Sequence, residues 1–392
     1  MSHQLPTGRR ARLASLALAA VAAAGIATAV PSAASAAPGP RLVPSNQLVY
    51  VPGVWGGKLH GVDPLTGATK RKIPGGPNPM ISAPSPDGKT LYVVNLPKGS
   101  QSGISIVDVA SGTRTFIGLK GVAAAEVLSN GGKELYAVDI VAHEIVVIDT
   151  ATKTIARRLK MPDHVADEPL GIEISADNKT LYIAYLAGWV ASYDTQTGKP
   201  IHEVQLPEVP RAVDLATFGQ LTLPGWLMLS PDGTRLYALN FATGNTTVID
   251  TRTWQTVGTI DHHDRWALDV LASFSPDGKK MYFTNYGTAN VQVVDTATLQ
   301  TLKVIPTKGR PIGVATLDNG DVLVDTIPPQ FTQANPLVPI ITLLPVGLTS
   351  IRLPNIGVGQ ILRINGTTDT ITGTTNVDDT IPGAFVAPAP AA

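Results

Sequence analysis

The residues best suited to chemistry in this chain are a scattered set of histidines, acids and arginines. His143 lies between two apolar runs, His164 follows Asp163 and precedes Asp167-Glu168, and His262-His263 stands between Asp261 and Asp264-Arg265. Neutral imidazoles beside carboxylates form the donor set of a divalent metal site, where a bound ion could polarise a carbonyl or activate water. Arg211, Arg265 and Arg310 add fixed positive charges able to grip a carboxylate or phosphate. The histidine spacing reproduces no recognised ligand motif, and neighbouring histidines on a loop beside a strand tend to point apart, so solvated loop histidines compete with the metal reading. No Gly-x-Ser-x-Gly elbow and no phosphate-binding glycine loop ahead of a helix is present, so the motifs name no cofactor.

Composition removes further classes. The 392 residues include 44% hydrophobic and 15% charged residues, a balance that buries a core rather than leaving the chain disordered. Thirty basic residues offset thirty acidic ones, so no global field favours nucleic acid or an anionic membrane, although a local patch is compatible with that balance. The absence of cysteine excludes disulfides, thiolate metal sites and cysteine nucleophiles. Trp55, Trp189, Trp226, Trp254 and Trp266 are dispersed and form no stacking track.

At the N-terminus Arg9, Arg10 and Arg12 precede a nearly uncharged run from Leu13 to Val30, then small residues to Ala37. These are the three regions of a secretory signal peptide, predicted to span 1–36 with cleavage before Ala37. The run is too short and alanine-rich for a spanning helix. A secreted product is expected, extracellular or associated with the cell envelope, monomeric and without a membrane span.

The elements that must position these groups come from internal repetition. Tyr50, Tyr92, Tyr136, Tyr182, Tyr237 and Tyr282 recur at about 45 residues, and an aspartate follows most of them thirteen residues later, at Asp63, Asp149, Asp250 and Asp295. Each unit reads as a Ser-Pro-Asp-Gly turn, a strand holding the tyrosine, a polar loop, a second strand, an Asp-Thr-x-Thr turn and a third strand. The turn is intact at Ser85–Gly88, Ser230–Gly233 and Ser275–Gly278, and degenerate at Ser129–Gly132, Ser175–Asn178 and Leu317–Gly320. The turn aspartates are expected to cap backbone rather than to catalyse.

Ser-Pro-Asp-Gly-Lys, apolar-Tyr-x-x-Asn, apolar-Asp-Thr-x-Thr and Gly-x-Pro-x-Gly together resemble the YVTN repeat of extracytoplasmic β-propellers, over nearly the whole mature chain. The resemblance implies an all-β fold: a seven-bladed β-propeller of four-stranded antiparallel blades spanning 37–386, with a disordered tail at 387–392. The first blade lacks its innermost strand. Ile381–Val386 resembles Arg310–Ala315 and is expected to insert beside the strand of Tyr50 and close the ring.

Two insertions, 207–224 and 326–359, fall on the face where the loops leading into the innermost strands meet. His143, His164, Arg211, His262, His263, Asp264, Arg265 and Arg310 are the ligand-binding candidates of that face, with Asp378-Asp379 nearby. The favoured function is a non-enzymatic binding or scaffold propeller taking a protein or small molecule there. The alternative is a metal-assisted hydrolase or lactonase, as in other propeller families, and binding of nucleic acid ranks last.

Overall fold

A computed structural model of the chain describes residues 40–54, 56–98, 100–161, 168–207, 224–241, 243–263, 269–327, 359–377 and 384–385. Their regular elements are β-strands arranged as seven blades in a ring. Blade 1 comprises Val49–Gly53 (β1), Lys58–Val62 (β2) and Thr69–Pro74 (β3). Blade 2 comprises Pro79–Pro84 (β4), Thr90–Lys98 (β5), Gln101–Asp108 (β6) and Arg114–Gly118 (β7), and blade 3 Ala123–Leu128 (β8), Glu134–Asp139 (β9), Glu144–Asp149 (β10) and Thr154–Lys160 (β11). Blade 4 holds Pro169–Ile174 (β12), Thr180–Tyr185 (β13), Trp189–Asp194 (β14) and Pro200–Gln205 (β15); blade 5 holds Pro224–Leu229 (β16), Arg235–Asn240 (β17), Asn245–Asp250 (β18) and Thr256–Asp261 (β19). Asp269–Phe274 (β20), Lys280–Asn285 (β21), Asn290–Asp295 (β22) and Thr301–Pro306 (β23) make blade 6. Arg310–Thr316 (β24), Val322–Ile327 (β25), Gln360–Asn365 (β26) and Thr370–Asn376 (β27) make blade 7, and Ala384–Phe385 (β28) follows.

Position within a blade dictates sequence. The innermost β8, β12 and β16 are buried at every residue, because a neighbouring blade covers each of their faces, and they read as continuous apolar runs. The outermost β27 is exposed along nearly its whole length and reads Thr-Ile-Thr-Gly-Thr-Thr-Asn. Each Ile, Leu or Val enclosed this way contributes about 1.5–3 kcal/mol.

The repeated polar residues are spent on turns. In the Ser-Pro-Asp-Gly turns Ser85, Ser230 and Ser275 donate to Asp87, Asp232 and Asp277 at 2.6, 2.5 and 2.7 Å. The last turn residue has positive φ, 68° at Gly88 and 69° at Gly278, which explains why asparagine, tolerant of that region, stands at Asn178 with φ 60°. Asp149, Asp194 and Asp295 each accept the N–H three residues on at 2.7 Å, as expected of turn caps. Thr150, Thr195, Thr251 and Thr296 then donate to the carbonyls of Gly132, Asn178, Gly233 and Gly278, tying the two turns of a blade together.

The tyrosines join blades. Tyr282 donates to Asp369 of blade 7 at 2.9 Å beside the Lys280–Asp369 ion pair at 2.7 Å. Tyr136 donates to Glu134, and the Arg157 that pairs with Glu134 donates to Thr195 O of blade 4 at 3.0 Å.

Both ends of the chain close the ring. β28 packs against β1 and β24, in the gap left by the missing innermost strand of blade 1, but its parallel hydrogen-bond ladder runs to β4, Ala384 opposite Ile81 and Phe385 opposite Ser82. Near the N-terminus Val43 donates to Thr316 O and accepts from the Asp318 N–H, both at 2.9 Å, which clamps this segment to blade 7. The strands also trim the insertions. Pro224 belongs to β16, and Thr326 belongs to β25, where it pairs with Gln360; the intervening 208–223 and 328–358 lie outside the described residues.

Candidate functional site

Each innermost strand described with its partner opens with a register shift, for instance between Pro79 and Ile81 or Pro311 and Val314. The extra residue turns a backbone N–H away from the ladder, and that donor needs a partner. In blade 6 Thr284 Oγ1 takes the Leu271 N–H at 3.0 Å and donates to Ile312 O of blade 7 at 2.8 Å. In blade 7 the equivalent group is Asp325, whose Oδ1 accepts the Gly313 N–H at 2.8 Å. Its Oδ2 is buried without a partner, and burial pushes the carboxyl up to about 8, favouring the protonated form.

Two more acids occupy innermost strands. Glu126 on β8 is 1% exposed, and burial raises its pKa well above the usual range, opposed only in part by the backbone of Ala83. Glu173 on β12 is fully buried and accepts the Ile174 N–H at 2.9 Å. No sequence motif singles out these three acids. Their signal was a lone carboxyl in an apolar strand: Ala-Ala-Ala-Glu-Val-Leu, Pro-Leu-Gly-Ile-Glu-Ile and Val-Leu-Val-Asp-Thr-Ile.

Arg310 begins β24, on the face where the leading loops meet, and is 7% exposed. One guanidinium nitrogen donates to Tyr286 O and Gly287 O at 3.0 and 2.8 Å, and the head lies 5.5 Å from the centre of the Tyr286 ring. Nε of Arg310 and the Tyr286 hydroxyl are both buried with no partner, and burial raises the Tyr286 pKa. Among the described residues, Arg310 therefore touches carbonyls and a ring but no carboxylate. A buried cation is costly unless its charge is met, and among the described residues two carbonyls and a ring meet it here.

The histidines do not assemble. His262 is 4% exposed; its Nε2 meets Thr246 at 3.1 Å, its Nδ1 meets Gln292 at 2.5 Å, and its ring lies 4.9 Å from Phe283. It is a core residue between blades 5 and 6 with both ring nitrogens engaged. His263 is exposed with φ 62° and faces Thr301 at 3.3 Å. His143, half-buried with φ 51°, belongs to blade 3, and blade 4 separates it from His262. His164, Arg211, Asp264, Arg265 and Asp378-Asp379 lie outside the described residues. Among the described residues no three of His, Asp and Glu converge on a metal position, and these histidines do not fit one.

The remaining candidates are packing groups. His60 is buried in β2, Trp226 is buried in β16, and Trp254 stacks on His202 at 5.4 Å. Trp189 packs half-buried against the core, while Trp55 and Trp266 lie outside the described residues.

Comparison with known proteins connects blades 4 to 6 with one family. The family model described as lactonase, 7-bladed beta-propeller, matches residues 187–311, which run from just before β14 to Pro311 in β24. No curated protein matches the sequence. Among solved structures, a Bacteroides uniformis protein described as a candidate 6-phosphogluconolactonase is similar with TM-score 0.61 and 17% identity, covering 86% of this chain and 98% of that one. Hydrazine synthase of Kuenenia stuttgartiensis gives 0.59 and 20%, covering 74% and 94%. The dihydro-heme d1 dehydrogenase NirN gives 0.56 and 14%, covering 88% and 67%. At these identities the likeness is one of fold, and the chain is a seven-bladed β-propeller.

Proposed function

We propose that this chain is an enzymatic propeller acting on a small anionic lactone, held on the loop face by Arg310. The observation that carries the reading is a buried guanidinium whose described contacts are carbonyls and a ring. The lactonase match over 187–311, a stretch that includes Arg310, supports the choice of a lactone. Arg310 would bind the substrate's phosphate or carboxylate and fix its orientation, while the rigid start of β24 limits its motion. The same proposal takes the working protein to be exported, on the strength of the arginines ahead of the uncharged run at Leu13 to Val30. Binding without turnover is the second reading, favoured by repeat motifs whose Ser, Asp and Thr side chains are committed to turns.

A paired assay tests this. Ring opening of δ-gluconolactone and of its 6-phosphate is followed by proton release, with binding of the stable ring-opened acids measured by calorimetry. The phosphorylated lactone should be preferred, and Arg310→Ala should remove about 10-fold to 100-fold of that preference while Arg310→Lys retains part of it. Binding of the acids with no ring opening moves the protein to the second reading, and equal handling of the two lactones by the unaltered protein refutes the role of Arg310.

A further inference from the structure

The net charge of zero conceals a division of the ring into two halves. Residues 41–161, which build blades 1 to 3, carry 14 Lys and Arg against 8 Asp and Glu, whereas residues 162–392 carry 13 against 22. The imbalance is sharpest on the rim. The outermost strands β3, β7 and β11 carry Lys70, Arg71, Lys72, Arg114, Arg157, Arg158 and Lys160 and no acid. Those of blades 4 to 7 carry one cation, Lys303, and two acids, Glu203 and Asp261.

Some of these cations serve the fold. Arg157 pairs with Glu134, Arg158 with Glu144 at 2.9 Å, and Arg71 donates to Ala110 O at 2.6 Å across the junction of blades 1 and 2. Lys70, which also pairs with Asp63 at 3.9 Å, Arg114, which also donates to Ser105 at 3.2 Å, Lys72 and Lys160 are exposed. We infer that the rim of blades 1 to 3 is a docking surface for a linear polyanion without bases, of the polyol-phosphate kind. Three neighbouring strand edges offer cations in succession, and a repeating phosphate chain can neutralise them one after another with release of its counter-ions.

Two observations select this partner over others. A single-stranded nucleic acid needs aromatic platforms, and the only aromatic residue of the three strands is Phe116, already under the Arg114 guanidinium at 5.5 Å. A second copy of the chain would need a matching acidic rim, but the outermost strands of blades 4 to 7 carry only Glu203 and Asp261, and six other acids there, Asp177, Asp194, Asp232, Asp250, Asp277 and Asp295, stand in turns and accept backbone N–H groups.

The test is binding of fluorescently labelled poly(glycerol phosphate) to the full mature chain across a salt series from 20 to 200 mM. Affinity should fall steeply as salt rises. The variant Lys70→Gln, Lys72→Gln, Arg114→Gln, Lys160→Gln should bind at least about 10-fold more weakly with a shallower salt slope, because each lost phosphate contact removes close to one unit of slope. A control with Lys179, Lys199, Lys279 and Lys303 replaced by glutamine should keep the original affinity, as should Lys70→Arg with Lys72→Arg. Thermal melts verify that each variant is folded. The inference is overturned by absence of binding at 20 mM salt, by equal loss in the two glutamine sets, or by tighter binding of oligothymidylate than of the polyol phosphate.

Discussion

The Glu173 carboxyl acts electrostatically on the Arg41 guanidinium, although the two belong to segments far apart in sequence. Arg41 lies two residues before Val43, which is hydrogen-bonded to blade 7, whereas Glu173 lies on the innermost strand of blade 4. Burial draws the Arg41 guanidinium down to about 9, and the Glu173 carboxylate acts in the opposite direction. Two residues after Arg41, Val43 meets the turn that follows β24, on the side of the Ser-Pro-Asp-Gly turns.

A double-mutant cycle should expose that coupling. Arg41→Ala is expected to destabilise the protein by about 3 kcal/mol, because it removes a cation that acts on the fully buried Glu173 carboxyl. Glu173→Gln in the Arg41→Ala background should cost much less than in the parent chain, giving an interaction of at least about 1 kcal/mol. Denaturant unfolding of the four proteins measures it. Additive losses would show that the two charges do not communicate.

Asp325 should write a signature into the pH dependence of stability. Its folded pKa of about 8 stands above the ordinary 3.8, so between those values the folded state holds a proton that the unfolded state has released. Stability from this group is fully present below about pH 4 and is lost as pH rises toward 8, at about 1.4 kcal/mol for each unit of pH. Asp325→Asn keeps an acceptor for the Gly313 N–H and removes the titration. Its midpoint of denaturation should fall less than the parent's between pH 4 and pH 8. Glu126 shifts in the same direction, so some slope should persist until Glu126→Gln is added.

His262 and His263 should behave as opposites despite their adjacency. His262→Ala removes a ring wedged between Thr246, Gln292 and Phe283, and should cost about 2 kcal/mol by leaving buried polar groups unpaired. His263 is exposed in the left-handed region, which asparagine tolerates, so His263→Asn should stay within about 0.5 kcal/mol. Equal effects on thermal unfolding would contradict this placement.

The legibility of the fold and of the site differed for a physical reason. Ser-Pro-Asp-Gly and Asp-Thr-x-Thr carry their geometry in a few contiguous residues, since Ser275 binds Asp277 and Asp295 binds Thr298 within one turn. Blade number and strand order therefore follow from spacing alone. The loop-face groups depend on contacts between residues far apart in sequence: Arg310 on the carbonyl of Tyr286, His262 on Gln292 of the next blade. Loop position suggested that His262 was exposed, and only the neighbouring blade makes it core. The buried acids were hidden differently, because Glu126 and Asp325 sit in strands whose apolar pattern otherwise reads as packing.

The insertion between β25 and β26 should be removable. Thr326 pairs with Gln360 and Asp325 with Ile361, so the two strands stand side by side at the point where the insertion leaves and returns. Val377 donates to Gly359 O at 2.8 Å, which fixes the returning end from β27 as well. The blade thus carries its own register, and closing the hairpin through a short Asn-Gly turn in place of 328–358 changes loop-closure entropy by only about 1–2 kcal/mol. Thr326 and Ile327 must be kept, because both are buried at the end of β25. The shortened protein should unfold cooperatively, with a midpoint within a few degrees of the parent. If the insertion supplies part of the loop-face site, ligand binding at Arg310 should weaken in the same protein while the fold persists. A chain that no longer folds would instead show that 328–358 belongs to the core of blade 7.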